Sequence, residues 1–362
     1  MSLLQVAGRL GKALGMRKKV LGIAAGLLVI ALGSIWFEYA SRHIPRVHVT
    51  DQSPNVASSA SSSGSSLATT TATTTTPKAE KQQTKKVVAP TVAVAPKNLK
   101  ESPKPTTPPP TPVSLPSTVI YAELDTAVVQ LICPLGNNLY SSGTGVIVSP
   151  EGLVITNAHV VEKSTDCELR TGNPAKSFGR MRIVYIADQT RKIPESDIAQ
   201  DDFAFGRIHA LVSDAPSRPP FKFLSFDPSY EPWRGDQYYA AAYASEFLGD
   251  AAITLGNQNL VFATTAAVAA YAANDQSNTS DILELSGNVS TQQGSSGSPI
   301  ISPATGKVVA LVFGENKTSE TSGPDTSVRS EFAFLASYLD REVRRTEGIS
   351  FAALIQRLSI AP

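Results

Sequence analysis

The chain has 362 residues, of which 42% are hydrophobic and 17% charged, with 25 prolines, 24 glycines and 2 cysteines. These values exclude a collagen-like chain, a disulfide-dense miniprotein and a multispan channel. Residues 1–117 carry 14 Lys and Arg against 4 Asp and Glu, whereas residues 118–362 carry 18 against 27. Because the acidic part is the one with enough apolar residues to fold, we expect no binding to nucleic acid.

The first forty residues contain an apolar run, VLGIAAGLLVIALGSIWF, at 20–37. As a helix it would be roughly 27 Å long, close to the hydrocarbon thickness of a membrane. Residues 1–19 are basic and only Arg42 and Arg46 closely follow the run, so a cytoplasmic N-terminus is predicted, with all later residues outside the cell membrane. We interpret 20–37 as a single-pass signal anchor; a cleaved signal peptide is the alternative.

Residues 38–117 separate this run from the rest of the chain. Between positions 50 and 117, 35 of 68 residues are Ser, Thr or Pro, and none is aromatic or Cys. Such a segment cannot bury enough apolar surface to offset the loss of chain entropy. We therefore expect a disordered stalk that spaces the folded part from the membrane.

From residue 118 the composition changes to short apolar runs separated by Gly, Pro, Asn and Asp. This spacing predicts an all-β barrel or sandwich within 118–345. Helices are expected at 337–345 and 349–358, so that residues 346–362 form a C-terminal helix. The predicted strands are 127–133, 144–149, 153–157, 181–187, 203–208, 221–226, 237–244, 260–271, 281–285, 298–302 and 307–314.

Three pieces of sequence carry residues suited to nucleophilic catalysis. GTGVIVSPEGLVITNAHVV contains His159, DDFAFGRI contains Asp202 and QQGSSGSPI contains Ser296. A serine hydroxyl is a poor nucleophile near neutral pH and needs a base such as histidine to take its proton. A carboxylate on the other ring nitrogen fixes the tautomer and stabilises the imidazolium. We assign Ser296 as nucleophile, His159 as general base and Asp202 as the residue that orients it.

The glycines beside Ser296 predict an oxyanion hole. They permit a tight turn in which the main-chain N–H groups of Gly294 and Ser296 converge on the developing negative charge. Each donor of this kind contributes roughly 3 to 4 kcal/mol to transition-state stabilisation.

The three motifs together resemble those of the chymotrypsin-like (trypsin-fold) serine proteases, over residues 120–340. TNAHVV, DFAF and GSSGSP are similar to the histidine, aspartate and nucleophile motifs of the bacterial branch that includes the high-temperature-requirement proteases and the glutamyl endopeptidases. The resemblance implies two six-stranded antiparallel β-barrels with the active site between them. It also implies a serine endopeptidase that acts on polypeptides through an acyl-enzyme, with no cofactor and no metal.

Departures from the family pattern affect specificity and regulation. Ser295 replaces the Asp with which digestive members capture a new N-terminus, so activation by N-terminal cleavage is not expected. Ser290 replaces the Asp that selects Lys or Arg, and we expect Ser290 and Phe313 to form the base and a wall of the substrate pocket. No PDZ domain is expected after the last strand.

Several alternatives remain open from the sequence. Asp201 and Asp197 compete with Asp202 for the orienting role, whereas His209 is interpreted as a surface or satisfied histidine. Cys133 and Cys167 form either a disulfide or two buried thiols. The oligomeric state is not predicted. A catalytically silent protease-fold scaffold at the cell envelope is the alternative function.

Overall fold

The computed structural model describes part of the chain, mainly its second half. The described residues are 86–87, 93–94, 100–102, 114–193, 198–245, 248, 253, 256, 258–274, 279–287, 294–317 and 329–360. The apolar run at 20–37 and most of the stalk at 38–117 lie outside them. Among the described residues, no helix has the length and apolar character needed to cross a membrane.

Short strands dominate the described part, as the alternating apolar pattern predicts. The strands are β1 (Lys86–Val87), β2 (Ala93–Val94), β3 (Val128–Gly136), β4 (Leu139–Ile147), β5 (Leu153–Thr156), β6 (Asp166–Thr171), β7 (Lys176–Ile186), β8 (Ala204–Leu211), β9 (Gln237–Ala242), β10 (Val261–Tyr271), β11 (Ile282–Ser286), β12 (Pro299–Ile301), β13 (Val308–Lys317) and β14 (Arg329–Leu335). The helices are α1 (Ser117–Ala127), α2 (Ala158–Val161), α3 (Ala336–Glu347) and α4 (Phe351–Ile360).

Two closed barrels of six antiparallel strands form the core. In the first, the order is β4-β3-β6-β7-β8-β5, and pairing of β4 with β5 closes the sheet. In the second, the order is β12-β9-β10-β11-β14-β13, and pairing of β12 with β13 closes the sheet. Closure removes exposed sheet edges and lets alternate apolar side chains fill each interior. The prediction of an all-β fold with two six-stranded barrels is confirmed.

Individual strands differ from the sequence pattern. β14 was not predicted, because its first three residues, Arg329-Ser330-Glu331, are polar and only the last four form an apolar run. The segment 221–226 was predicted as a strand but only bridges to Val308 through Phe226. It joins the barrels, with the Leu224 N–H donating to the carbonyl of Ile147 at 3.0 Å.

The N-terminal edge of the folded part also differs from the prediction. Helix α1 buries Ile120, Leu124 and Ala127, spaced one helical turn apart. β1 and β2 fall in the segment expected to be disordered, yet β1 pairs in parallel with β4 and β2 with β13. Each of these two-residue strands contains one Val, a residue type that favours extended backbone, and each adds to the edge of an existing sheet.

The two C-terminal helices are confirmed, with a break at 348–350. Gly348 ends α3 in the left-handed conformation, at a φ of 71°. Phe351 then starts α4 and is buried, with its ring 5.8 Å from that of Phe205 and 5.1 Å from that of Phe226. The apolar face of α4 thus packs on the aromatic core beside β8.

Candidate active site

His159 lies on the short helix α2, directly after the buried strand β5. Asn157, at the turn between them, is fully buried, and its side-chain amide donates to the carbonyl oxygen of Asp202 at 2.8 Å. A buried amide without such a partner would cost about 1 to 3 kcal/mol. The turn that carries His159 is therefore fixed to the loop that precedes β8.

Asp202 makes two hydrogen bonds to His159. Its Oδ2 lies 2.6 Å from the ring Nδ1, and its Oδ1 accepts the His159 backbone N–H at 3.0 Å. The carboxylate side chain is 3% exposed and the imidazole 21%. Both oxygens are thus used, which fixes the ring orientation and requires the proton on Nδ1 in the neutral histidine.

The environment of His159 favours its protonated form. Burial disfavours the imidazolium and acts to lower the pKa, but the charge and hydrogen bond of Asp202 oppose this, as does the charge of Glu162. The net effect raises the pKa of His159 above its ordinary value of 6.5. Asp202 therefore stabilises the cation that forms when the ring accepts a proton.

Ser296 lies in a turn that needs its two flanking glycines. Gly294 and Gly297 have φ values of +94° and +87°, in the region that side chains disfavour. A Cβ on Gly297 would be 2.1 Å from the carbonyl oxygen of Thr144, and one on Gly294 would be 2.6 Å from Ser245 Oγ. The glycines let the nucleophile loop approach both the first barrel and the segment after β9.

Thr144 on β4 joins the nucleophile loop to the first barrel. Its N–H donates to the Ser296 carbonyl at 2.9 Å, and its Oγ1 donates to the Gly294 carbonyl at 2.8 Å. The same Oγ1 accepts the backbone N–H of Tyr243 at 3.1 Å. Thr144 thus contacts the loop of Ser296 at two points and also the segment that follows β9 in the second barrel.

The structure brings Ser296 close to helix α2, without a hydrogen bond between the side chains of Ser296 and His159. Gly143 separates them: a Cβ there would be 2.8 Å from Val160 and 3.3 Å from the Ser296 carbonyl oxygen. Within the described residues, His159 Nε2 is buried and has no hydrogen-bond partner. Ser296 itself is 8% exposed.

The two predicted oxyanion donors belong to this same turn. In the hydrogen bonds that link described residues, neither the Gly294 N–H nor the Ser296 N–H is a donor. The neighbouring N–H groups are used: Gly297 donates to Val312 and Ser298 to Ser295, at 2.9 and 2.8 Å. These bonds fix the turn on both sides of Ser296.

The other predicted site residues have different positions. Phe313 is fully buried and stacks on Phe334 with ring centroids 3.9 Å apart, within the core of the second barrel. Ser290 and Asp197 lie outside the described residues. His209 pairs with Asp166 through Nε2 and Oδ2 at 2.5 Å, away from the triad candidates.

Cys133 on β3 and Cys167 on β6 are joined by a disulfide in the structure. The two strands are neighbours in the first barrel, and their hydrogen-bonded register runs from Gln130 to Ile132. Both cysteines are fully buried. The crosslink therefore stabilises the barrel that carries His159 and Asp202.

Sequence reasoning assigned no role to Thr144 or Asn157, although both lie inside the quoted motifs. The sequence signal was a polar residue at a position expected to be buried: Thr144 lies within an apolar strand, and Asn157 directly follows one. Such residues need partners when buried. Which partners they find depends on contacts across 150 and 45 positions of sequence.

One family model and several solved structures resemble this chain. No curated protein sequence matches the chain. Among solved structures, it is similar to the Rv3671c protease from M. tuberculosis in its active form (21% identity, 66% of this chain and 92% of that chain, TM-score 0.41). It is also similar to a serine endoprotease from Yersinia pestis (16%, 68% and 68%, 0.42) and to the HtrA-type protease AlgW with tripeptide (15%, 65% and 65%, 0.43).

A family model covers the segment that holds the three candidate catalytic residues. Residues 143–311 match the trypsin-like peptidase domain. That range begins at the glycine before Thr144 and extends into β13. Residues 143–311 therefore form a trypsin-like peptidase domain, and the chain is a serine endopeptidase.

Proposed function

We propose that the chain hydrolyses peptide bonds through Ser296, His159 and Asp202. The observation that carries this proposal is the pair of hydrogen bonds that Asp202 accepts from His159, beside a glycine turn that Thr144 joins to the same barrel. When His159 is neutral, this arrangement keeps the proton on Nδ1 and leaves Nε2, which has no hydrogen-bond partner among the described residues, as the proton acceptor.

In the proposed reaction, Ser296 Oγ forms a bond to the carbonyl carbon of the scissile peptide while its proton passes to His159 Nε2. The carbonyl π electrons move to oxygen, and the N–H groups of Gly294 and Ser296 bind the resulting oxyanion. As the tetrahedral intermediate collapses, the C–N bond breaks and His159 gives its proton to the leaving amine. Water then repeats the sequence on the acyl-enzyme and releases Ser296.

Asp202 has two functions in these steps. It holds the proton of the neutral ring on Nδ1, which leaves Nε2 as the acceptor, and it stabilises the imidazolium by its charge. Because Asp202 is buried, that interaction is weakly screened by solvent.

For location, we propose an enzyme anchored in the cell membrane by residues 20–37, with its catalytic domain on the extracytoplasmic side. The charge asymmetry around the apolar run supports this orientation. A disulfide between Cys133 and Cys167 supports an oxidising compartment, since such bonds persist mainly outside the cytosol. A membrane-impermeant fluorophosphonate should label intact cells as strongly as lysed ones; labelling only after lysis would contradict the orientation.

The catalytic assignment is tested by covalent labelling and by turnover of an unfolded protein. We expect a fluorophosphonate to modify Ser296 in the full chain, and casein to be cleaved. Ser296→Ala should lose both activities, whereas Ser295→Ala, at the preceding position, should retain labelling. Failure of the folded wild-type chain to react would instead support the silent scaffold.

A further inference from the structure

Four charged side chains connect helix α3 to the loop that carries Asp202. Arg345 donates from Nη2 to Asp201 Oδ2 at 3.1 Å and from Nε to Glu342 Oε2 at 2.7 Å. Arg191 donates to the same Glu342 oxygen at 2.6 Å and lies 3.8 Å from Asp201 Oδ2. The cluster contains two cationic and two acidic groups.

The acidic members are enclosed, and the cations come from two elements. The side chain of Asp201 is 2% exposed and that of Glu342 is 10%. Arg191 belongs to the loop between β7 and β8, whereas Arg345 comes from the last turn of α3. A buried carboxylate needs a partner because desolvation of an unpaired charge costs several kcal/mol. Arg345 therefore contributes an interaction that the loop cannot supply alone.

The ionisation of Asp201 depends on these cations. Burial and the Glu342 carboxylate raise the pKa of Asp201 to about 7, whereas Arg191 and Arg345 act to lower it. Burial also acts to raise the pKa of Glu342, but the hydrogen bonds from Arg345 and Arg191 lower it overall. Without Arg345, Asp201 would retain its proton more readily and its ion pairing with α3 would be weakened.

Hydrogen bonds to the backbone carbonyls of Gln200 and Asp201 also hold the loop that carries Asp202. The Tyr338 hydroxyl of α3 donates to the carbonyl of Gln200 at 3.1 Å. The Asp201 carbonyl accepts the Phe203 N–H at 2.8 Å and the Gln189 side-chain amide at 2.7 Å. Asp202 thus lies between two anchors: the α3 cluster through Asp201, and the His159 turn through its own carboxylate.

We propose that Arg345 is a positioning residue for Asp202, acting through its ion pair with Asp201. This inference rests on the proposed function of Ser296, His159 and Asp202. Helix α3, which contributes no atom to the reaction, then determines where the orienting carboxylate lies. A displacement of about 1 Å in a catalytic group costs on the order of 100-fold in rate.

The test measures the rate at which a fluorophosphonate modifies Ser296 in the full chain, as a function of probe concentration. For Arg345→Gln we expect the limiting rate constant to fall about 10- to 100-fold, with the half-saturating probe concentration unchanged. The fraction finally labelled should stay the same, because misplacement of Asp202 slows each molecule rather than unfolding some of them. Arg345→Lys, which keeps the charge but not the two-nitrogen contact, should recover part of the rate.

The matched control is Arg344→Gln, one residue earlier on α3. Arg344 is 59% exposed on its side chain and pairs with Asp340 on its own helix. Its removal should leave the limiting rate unchanged. Asp201→Asn should resemble Arg345→Gln, and the two changes together should cost no more than the larger single change, because they remove the same contact.

Several results would overturn the inference. A limiting rate for Arg345→Gln within threefold of wild type would do so, as would a loss confined to the fraction labelled. Arg345→Lys no faster than Arg345→Gln, or additive losses with Asp201→Asn, would exclude the ion pair. If Arg345→Gln does not fold, Arg345→Lys decides alone, since a wild-type limiting rate would contradict positioning. An unreactive wild-type chain would instead refute the proposed function itself.

Discussion

Replacement of Asp202 by Asn changes one atom and tests how the site orients its base. In the wild-type geometry, Oδ1 accepts the His159 backbone N–H at 3.0 Å and Oδ2 faces the ring Nδ1 at 2.6 Å. An asparagine can satisfy only one of these donors. If its carbonyl keeps the backbone bond, its NH₂ group faces Nδ1, and the ring must move its proton to Nε2.

That tautomer cannot accept a proton from Ser296, because Nε2 already carries one. We expect Asp202→Asn to lower the fluorophosphonate reaction rate by about 10⁴, equivalent to about 5.4 kcal/mol at 1.36 kcal/mol per decade. The pKa of His159 should also fall, because burial would remain while the charge of Asp202 would be gone.

The assay is the second-order rate of probe reaction at pH 7.5, with the thermal unfolding midpoint measured in parallel. Asp166→Asn is a matched control, because Asp166 and His209 form a second aspartate–histidine pair in the same barrel. That variant should react at the wild-type rate. If Asp202→Asn retained more than a tenth of the wild-type rate with an unchanged fold, the tautomer argument would be refuted.

The remaining predictions concern the turn, the crosslink and pH. Gly297→Ala places a Cβ 2.1 Å from a β4 carbonyl oxygen and should lower the free energy of unfolding by about 3 kcal/mol or more. The control Gly235→Ala, at a φ of +93° with no atom within 4 Å of the added Cβ, should lower it less. Equal urea midpoints for the two variants would contradict this. Joint replacement of Cys133 and Cys167 by Ala should lower the free energy of unfolding by about 3.8 kcal/mol, the loop-closure value for a separation of 34 residues. An unchanged urea midpoint would refute this prediction. Because only the neutral ring accepts a proton and the pKa of His159 is raised, the reaction rate should fall with acidification through a midpoint above pH 6.5; a midpoint below 6 would contradict the site electrostatics.

Much of the fold follows from local pattern, because barrel strands alternate apolar and polar residues over short, turn-bounded runs. β5 and β11 were predicted to within one residue at each end on this basis. β14 was missed because Glu331 is buried within a sheet despite its charge. Helix α1 was missed because its three buried residues are separated by exposed ones and its length is only 11 residues.

The candidate site likewise has features that local sequence predicts and features that depend on contacts between distant residues. Glycine spacing predicted the tight turn around Ser296, because such a turn places steric demands on particular positions and these are visible in a motif. The partners of Asp201 and Thr144 were not accessible, since they depend on contacts between residues 144 and 150 positions apart. No local pattern encodes which arginine of α3 will meet a loop of the first barrel.

The Arg345–Asp201 contact also has a consequence for biosynthesis. The ribosome makes Ser296 before Arg345, and at about 5 to 20 residues per second the intervening chain takes roughly 2 to 10 s to synthesise. During that interval the nascent peptidase has its nucleophile but lacks the helix that anchors the loop of Asp202. On the proposed roles of Ser296 and Arg345, the nascent chain therefore reaches full activity only after α3 has been synthesised and has packed against that loop.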